Sequence, residues 1–315
     1  MKIIFMGTPD FAVPSLDALI ASKHIVYMVV TQPDRKKGRG KILSPPPIKE
    51  FAQSKGVNVI QPQRLNDPDF INLILTCVPD AIVVTAYGKI LPSIILNIPK
   101  YGCVNLHGSL LPEYRGAAPI QWAIIDGKKE TGVTTIKMDE GIDSGAIYLS
   151  QAEKILDTDT YETLGKRLSI IGADLLVKTL DMIEDGGITP TKQNGNQTCA
   201  RILTKEDGLI DWSKSAEKIT FLIRGLYPWP CAYTFINGER VKIIKAQAVL
   251  GQGEQGKVIK QDEQGFYIGT SLGLISIIEL QPAGKSIMSY KAFLKGRLIK
   301  VGDSLMVGND THSRG

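Results

Sequence analysis

Short apolar runs alternate with helix-like stretches through the first half of the chain. The apolar runs are Ile3–Met6, Ile25–Thr31, Val57–Ile60, Ala81–Thr85 and Cys103–Leu106, and helical patterns such as Ser15–Ala21 and Asp69–Thr76 separate them. Such alternation is typical of βαβ units, whose strands join a parallel sheet. A further apolar run at Gly132–Met138 and a long helical pattern at Tyr161–Ile183 continue the series. We therefore predict a doubly wound, mostly parallel α/β sheet of Rossmann-like type.

The last third of the chain has a different pattern. One helical pattern at Ser213–Leu226 is followed by closely spaced strand-like runs with glycines between them: Ala232–Ile236, Val241–Val249, Lys257–Lys260, Phe266–Gly269 and Leu274–Leu280. This pattern is typical of a small all-β barrel. We predict one domain over residues 1–187, a polar linker over 188–206, a barrel domain over 207–308 and a disordered tail over 309–315.

Composition excludes several classes of protein. Of the 315 residues 43% are hydrophobic and 22% charged, which suits ordinary buried cores rather than a disordered or fibrous chain. The apolar start of the chain is broken by Gly7, and no apolar run reaches membrane-spanning length. We expect a soluble, cytoplasmic protein with no membrane partner. The four cysteines form no C-x-x-C pair, so neither a disulfide framework nor a zinc knuckle is indicated.

Positive charge is concentrated in two places. The formal net charge is +5, and residues 207–315 contain 14 lysines and arginines against 10 acidic residues. A second concentration lies near the start of the chain, where five cations fall within seven residues: Arg35, Lys36, Lys37, Arg39 and Lys41. Such a loop attracts phosphate groups strongly, in a salt-dependent way. On charge alone, a solvated surface loop is the favoured explanation.

Three polar side chains form a candidate catalytic group. Asn105 and His107 lie two residues apart at the end of an apolar strand, so they point to the same side of it. If the strand Gly132–Met138 is its neighbour, the acidic loop that follows brings Asp143 to the same sheet edge. An amide and an imidazole can stabilise an oxyanion while a carboxylate orients the imidazole and transfers protons, which suits amine attack on a formyl or other acyl carbon. The alternative is structural: a strand-end histidine, a turn asparagine and a solvated aspartate.

Two observations argue against a dinucleotide cofactor. Residues 251–256 match G-x-G-x-x-G, but they lie between two strand-like runs and open no helix. No glycine fingerprint follows the first strand either, which disfavours a nicotinamide-dependent oxidoreductase.

The residues around this group resemble the folate-dependent formyltransferases. The resemblance lies in the runs Asn105 to Pro112 and Tyr114 to Gln121 and in the loop Asp139 to Asp143. It implies a formyltransferase domain of Rossmann-like type, with Asn105, His107 and Asp143 as catalytic residues. It also implies a tetrahydrofolate site formed in part by Ser109, Leu110, Leu111 and Pro112, with residues 87–92 and the 139–143 loop as its remaining wall.

Further segments are similar to one branch of that family, whose acceptor is methionyl initiator tRNA. They are Gly7 to Phe11, Thr31 to Arg35, Gly38 to Lys41, Trp229-Pro230 and Leu280 to Lys285. The resemblance implies 10-formyltetrahydrofolate as formyl donor, no metal, a role in translation initiation and a C-terminal barrel of oligonucleotide-binding (OB) type. It also implies that the basic loop binds the acceptor end of the tRNA.

Two other functions stay open at this point. A folate formyl enzyme could act on a sugar-nucleotide amine or a purine precursor, or hydrolyse its donor, although the basic loop and the basic barrel argue against these. The chain could also be a catalytically silent nucleic-acid-binding protein that uses the α/β domain as a scaffold.

Overall fold

The chain forms two compact units in the computed structural model, which describes residues 1–37, 42–263, 265–295 and 299–305. The first unit comprises Met1–Pro119, Glu130–Lys154 and Leu164–Arg201. The second comprises Ile120–Lys129, Ile155–Thr163 and the described residues from Ile202 onward. Two short segments of the predicted first domain therefore belong to the second unit, and part of the segment predicted as a linker belongs to the first.

Eleven strands lie in the described residues up to 201. They are β1 (Lys2–Gly7), β2 (Ile25–Val30), β3 (Arg35–Lys37), β4 (Ile42–Ser44), β5 (Val59–Ile60), β6 (Ala81–Thr85), β7 (Cys103–His107), β8 (Arg115–Gly116), β9 (Glu130–Lys137), β10 (Ile147–Lys154) and β11 (Cys199–Ala200). The helices of the same stretch are α1 (Val13–Ala21), α2 (Pro47–Ser54), α3 (Pro68–Cys77), α4 (Ser93–Leu96), α5 (Pro119–Ile125) and α6 (Tyr161–Glu184).

Seven of these strands form one sheet in the order β10-β9-β7-β6-β1-β2-β5. All pairs from β7 to β5 are parallel, whereas β9 and β10 join one edge as antiparallel strands. The predicted mostly parallel sheet is confirmed. The sequence analysis missed β10. Its residues are half-buried or exposed, so they show neither a long apolar run nor a clear alternation of apolar and polar residues.

Both faces of the sheet are covered, which explains why its strands are apolar throughout. Ile4 and Met6 pack in one core with α3 and α4. Ile3 and Phe5, on the opposite face, pack in another core with α1, α2 and α6. Helix α6 passes close to β7, because a Cβ on Gly172 would meet the side chain of Leu106 at 2.7 Å.

The second unit contains an antiparallel sheet. Its strands are β12 (Ala232–Ile236), β13 (Glu239–Val249), β14 (Val258–Gln261), β15 (Phe266–Gly269), β16 (Leu274–Pro282) and β17 (Met288–Ser289), with helices α7 (Ala216–Gly225) and α8 (Tyr290–Leu294). The order is β12-β13-β16-β15-β14, and β17 pairs with β16. Phe266, Ile277 and Phe293 are among the residues at the centre of its core. This antiparallel domain is consistent with the predicted barrel.

Helix α7 begins three residues later than predicted, because the Ser215 hydroxyl caps it by accepting from the N–H of Lys218. Among the described helices, none combines the length and apolarity that crossing a membrane requires. The predicted tail 309–315 lies outside the described residues.

Candidate active site

Asn105 and His107 lie on one face of β7, as their spacing predicts. They share that face with Cys103, which packs in the core formed with α3 and α4. Both side chains are nearly buried, with 8% of Asn105 and 5% of His107 exposed. The same burial raises the pKa of the Cys103 thiol to about 12. The two polar groups therefore stand at the border of an apolar core, where hydrogen bonds to them are strong.

Asp143 meets both of them. The Nδ2 of Asn105 donates to Oδ1 of Asp143 at 3.2 Å, and the Nδ1 of His107 lies 3.5 Å from Oδ2. The predicted route differs from the one in the structure. Strand β9 is antiparallel to β7, so its final residues lie beside the first residues of β7. The loop between β9 and β10 therefore folds back over the sheet face to bring Asp143 to the pair.

The polypeptide after β7 supplies two further contacts through its backbone. The ring nitrogen Nε2 of His107 lies 2.8 Å from the carbonyl oxygen of Tyr114. Because a carbonyl only accepts, Nε2 carries a proton, and Nδ1 is the nitrogen that faces the carboxylate. The N–H of Gly116 donates to Oδ2 of Asp143 at 2.9 Å. Gly116 has φ +114°, and a Cβ there would meet the carbonyl oxygen of Ala200 at 2.8 Å.

The four residues of the predicted folate segment form a turn directly after β7. The Ser109 hydroxyl is buried and donates to the carbonyl of Glu113 at 2.6 Å. The hydroxyl of Thr134 on β9 donates to the carbonyl of Ser109 at 2.7 Å and accepts the Leu111 N–H. Leu111 is buried, while Leu110 and Pro112 are half-buried. Thr134 thus fixes the turn beside the Asn105–His107–Asp143 group.

The segment expected to complete the folate site is only partly available to a ligand. The Tyr87 ring lies in the core, where burial raises the pKa of its hydroxyl to about 12. Its carbonyl accepts from the side chains of Thr8 and Gln32. Farther along, Ile90 is 72% exposed. A cleft of about 390 Å³ lies at the ends of β1, β2 and β6, and its lining includes Arg35 but none of the three candidate catalytic residues.

The two ends of the basic segment are paired as short antiparallel strands. Strands β3 and β4 are antiparallel, with Arg35 opposite Ser44 and Lys36 opposite Leu43. Arg35 and Lys36 are exposed, and Lys37 ends β3. Arg39 and Lys41 lie outside the described residues. The sequence analysis described this segment as a loop, because three-residue strands leave no periodic pattern.

The sequence analysis missed several groups that contact His107 or Asp143. They are the Tyr114 carbonyl, the Gly116 N–H and the side chain of Gln193, which donates to the carbonyls of Asp143 and Gly145 at 2.8 Å each. Backbone groups leave no signal in a single sequence. Gln193 lies 50 residues from Asp143, in a stretch whose Gly, Pro and Asn content indicated a linker.

One group of possible metal ligands occurs in the described part of the chain, and it lies apart from this site. His24, Asp181 and Glu184 bring one ligand atom each to within 4.8 Å of one another. Lys23 already forms ion pairs with Asp181 at 3.1 Å and Glu184 at 3.4 Å. Burial lowers the pKa of His24.

Comparison with known proteins covers both units. The family model described as formyl transferase matches residues 1–180, and the one described as formyl transferase, C-terminal domain, matches residues 202–298. A methionyl-tRNA formyltransferase from Thermodesulfovibrio yellowstonii is 52% identical over 300 residues, which are 95% of this chain and 97% of that protein.

Solved structures share the fold at low sequence identity. The N-formyltransferase from Helicobacter canadensis, in complex with folinic acid and dTDP-3-aminofucose, has a TM-score of 0.63 at 21% identity, over 88% of this chain and 99% of that one. HypX from Aquifex aeolicus in complex with tetrahydrofolic acid has a TM-score of 0.62 at 16% identity, over 93% of this chain. The chain spans about half of HypX, since 47% of that longer protein is covered.

Proposed function

This chain belongs to the formyl transferase family, and we propose that it transfers the formyl group of 10-formyltetrahydrofolate to the α-amine of methionyl initiator tRNA. The main support for this chemistry is that Asp143 contacts the side chains of both Asn105 and His107 on one face of β7. The acceptor follows from the methionyl-tRNA formyltransferase that is 52% identical over nearly the whole chain. The product, formylmethionyl-tRNA, serves translation initiation, and we propose the cytoplasm as the location of the enzyme.

The three side chains divide the work of the reaction. The neutral amine forms a bond to the formyl carbon, and the carbonyl electrons move to its oxygen. Asn105 has a second amide hydrogen besides the one that it gives to Asp143, and this hydrogen and the imidazole of His107 stabilise the oxyanion. Asp143 accepts the proton that the amine loses and returns it to the leaving nitrogen as the old carbon–nitrogen bond breaks. No step requires a metal.

Substrate binding follows from the surrounding segments. The turn Ser109 to Pro112, beside the catalytic group, binds the tetrahydrofolate together with residues 87–92. On the tRNA side, the exposed cations Arg35 and Lys36 attract phosphates of the acceptor end, and Lys37, Arg39 and Lys41 add to their charge. Contacts far from the reacting amine position it and lower the barrier. We propose residues 1–187 as the catalytic domain and 207–308 as an OB-type tRNA-binding domain. Of the segment 188–206 between them, residues up to Arg201 belong to the first compact unit.

One variant tests whether the chain is an enzyme or a silent binder. Transfer of labelled formyl from 10-formyltetrahydrofolate to charged initiator tRNA is measured for the wild type and for His107→Ala, with tRNA binding measured in parallel. We expect the variant to lose about a hundredfold or more in rate while it retains tRNA binding. Unchanged turnover would remove His107 from the mechanism, and tRNA binding without wild-type turnover would favour the silent function.

A sugar-nucleotide amine is the second acceptor to test. The similarity to the N-formyltransferase solved with dTDP-3-aminofucose supports this alternative at the level of the fold. The amino sugar therefore replaces the charged tRNA in a parallel reaction, and transfer to it in preference to tRNA would change the assigned substrate class.

A further inference from the structure

The side chain of Gln193 connects the two backbone segments that hold Asp143. Its Nε2 donates to the carbonyl of Asp143 and to the carbonyl of Gly145, at 2.8 Å each. Its Oε1 accepts from Nε and Nη2 of Arg115, at 3.1 and 2.7 Å. All four polar contacts therefore go to groups that flank the candidate catalytic carboxylate.

The turn that carries Asp143 needs such support. Asp143 has φ +49°, in the left-handed region that is unfavourable for most residues other than glycine. Gly145, two residues after Asp143, is tightly confined, because a Cβ on it would lie 1.9 Å from the carbonyl oxygen of Lys137. The backbone from 143 to 145 is therefore held between the end of β9 on one side and the amide of Gln193 on the other.

The other end of Gln193 reaches the second segment. Arg115, which the Gln193 oxygen binds, directly precedes Gly116, whose N–H donates to Oδ2 of Asp143. The glutamine thus fixes both the backbone that carries the carboxylate and the backbone that supplies its hydrogen-bond donor. A neutral amide is the one common side chain of this length that can donate to two carbonyls and accept from a guanidinium at once.

We infer that Gln193 is a positioning residue for the formyl transfer: it holds Asp143 against Asn105 and His107, and the segment after α6 thereby completes the active site. This inference rests on the proposed function for its kinetic test. Small displacements of a reacting group cost rate more than substrate affinity, because most of the proposed substrate contacts lie on other segments of the chain.

Two substitutions remove the double donor in different ways. Gln193→Glu keeps the shape and the acceptor for Arg115 but places a carboxylate against two carbonyls, and Gln193→Met keeps the volume without any hydrogen bond. Gln197→Ala is the matched control, because Gln197 accepts from Nη1 of the same Arg115 at 2.6 Å and is exposed. We expect kcat to fall about ten- to hundredfold in both Gln193 variants. The KM of each substrate should stay within about threefold of its wild-type value. The kcat of the control variant should stay within about twofold of the wild-type value.

A second measurement does not depend on turnover. Amide hydrogen exchange at Gly116, followed by NMR, reports the hydrogen bond to Asp143, and we expect faster exchange in both Gln193 variants but not in Gln197→Ala. A kcat within threefold of wild type, a loss expressed only in KM, or unchanged Gly116 protection would each overturn the inference. If the wild type transfers no formyl group while the exchange result holds, the proposed function fails and the positioning of Asp143 stands.

Discussion

Replacing Asp143 by asparagine removes the negative charge of the active site and preserves its shape. The carboxylate accepts the Gly116 N–H at 2.9 Å and one Asn105 amide hydrogen at 3.2 Å, and it faces Nδ1 of His107 at 3.5 Å. An asparagine has one oxygen for these donors, and its amide nitrogen faces at least one of them. We expect the loss of proton transfer to lower kcat about 10²- to 10⁴-fold. This range corresponds to about 3 to 5 kcal/mol of barrier.

The assay is single-turnover transfer of labelled formyl from 10-formyltetrahydrofolate to charged initiator tRNA, with both substrates saturating. Asp185→Asn serves as the control, because it removes the same charge from an exposed aspartate outside the proposed site, whose Oδ1 lies 3.9 Å from Nζ of Lys23. We expect the control to stay within about twofold of the wild type. The double variant of Asp143 and His107 should be little slower than either single variant, because the two act as a unit. A rate for Asp143→Asn within threefold of the wild type would refute the assigned role.

Three further perturbations test other parts of the account. Gly116→Ala should destabilise the protein by about 1 to 3 kcal/mol, seen as a lower melting temperature, because its φ of +114° and a neighbouring carbonyl exclude a Cβ; an unchanged melting temperature would contradict this. Replacing Arg35 and Lys36 by alanine should weaken the salt dependence of tRNA binding: the slope of log binding constant against log salt concentration should fall by about one to two. The kcat at saturating tRNA should not change. An unaltered slope would show that the two side chains do not contact the tRNA. Iodoacetamide should modify the exposed Cys199 before Cys103, because burial raises the pKa of the Cys103 thiol to about 12. Mass spectrometry gives the order of modification, and the reverse order would be inconsistent with the fold.

The parallel sheet was predictable because burial on both faces leaves a continuous apolar run in each strand. β1 is the clearest case, since Ile3, Ile4, Phe5 and Met6 are all fully buried. Strand β10 could not be predicted in the same way, because it lies at the sheet edge and exposes much of its surface. Exposure thus hid β10, whereas β3 and β4 were missed because each has only three residues.

The sequence predicted which side chains form the candidate site, but not how the chain brings them together. The two-residue spacing of Asn105 and His107 fixed their common face, but the route that brings Asp143 to them depends on β9 being antiparallel, which no local pattern encodes. The contacts of Gln193 could not be found either, because they join a glutamine in a polar segment to backbone carbonyls 48 and 50 residues away.

The most direct test of the account is the acceptor specificity of the wild-type protein. Formyl transfer from 10-formyltetrahydrofolate is measured with methionyl initiator tRNA, with an elongator tRNA charged with methionine, and with the donor alone. The account predicts rapid transfer to the initiator and little to the elongator or to water. Formate release from the donor alone, or no transfer to either tRNA, would contradict it.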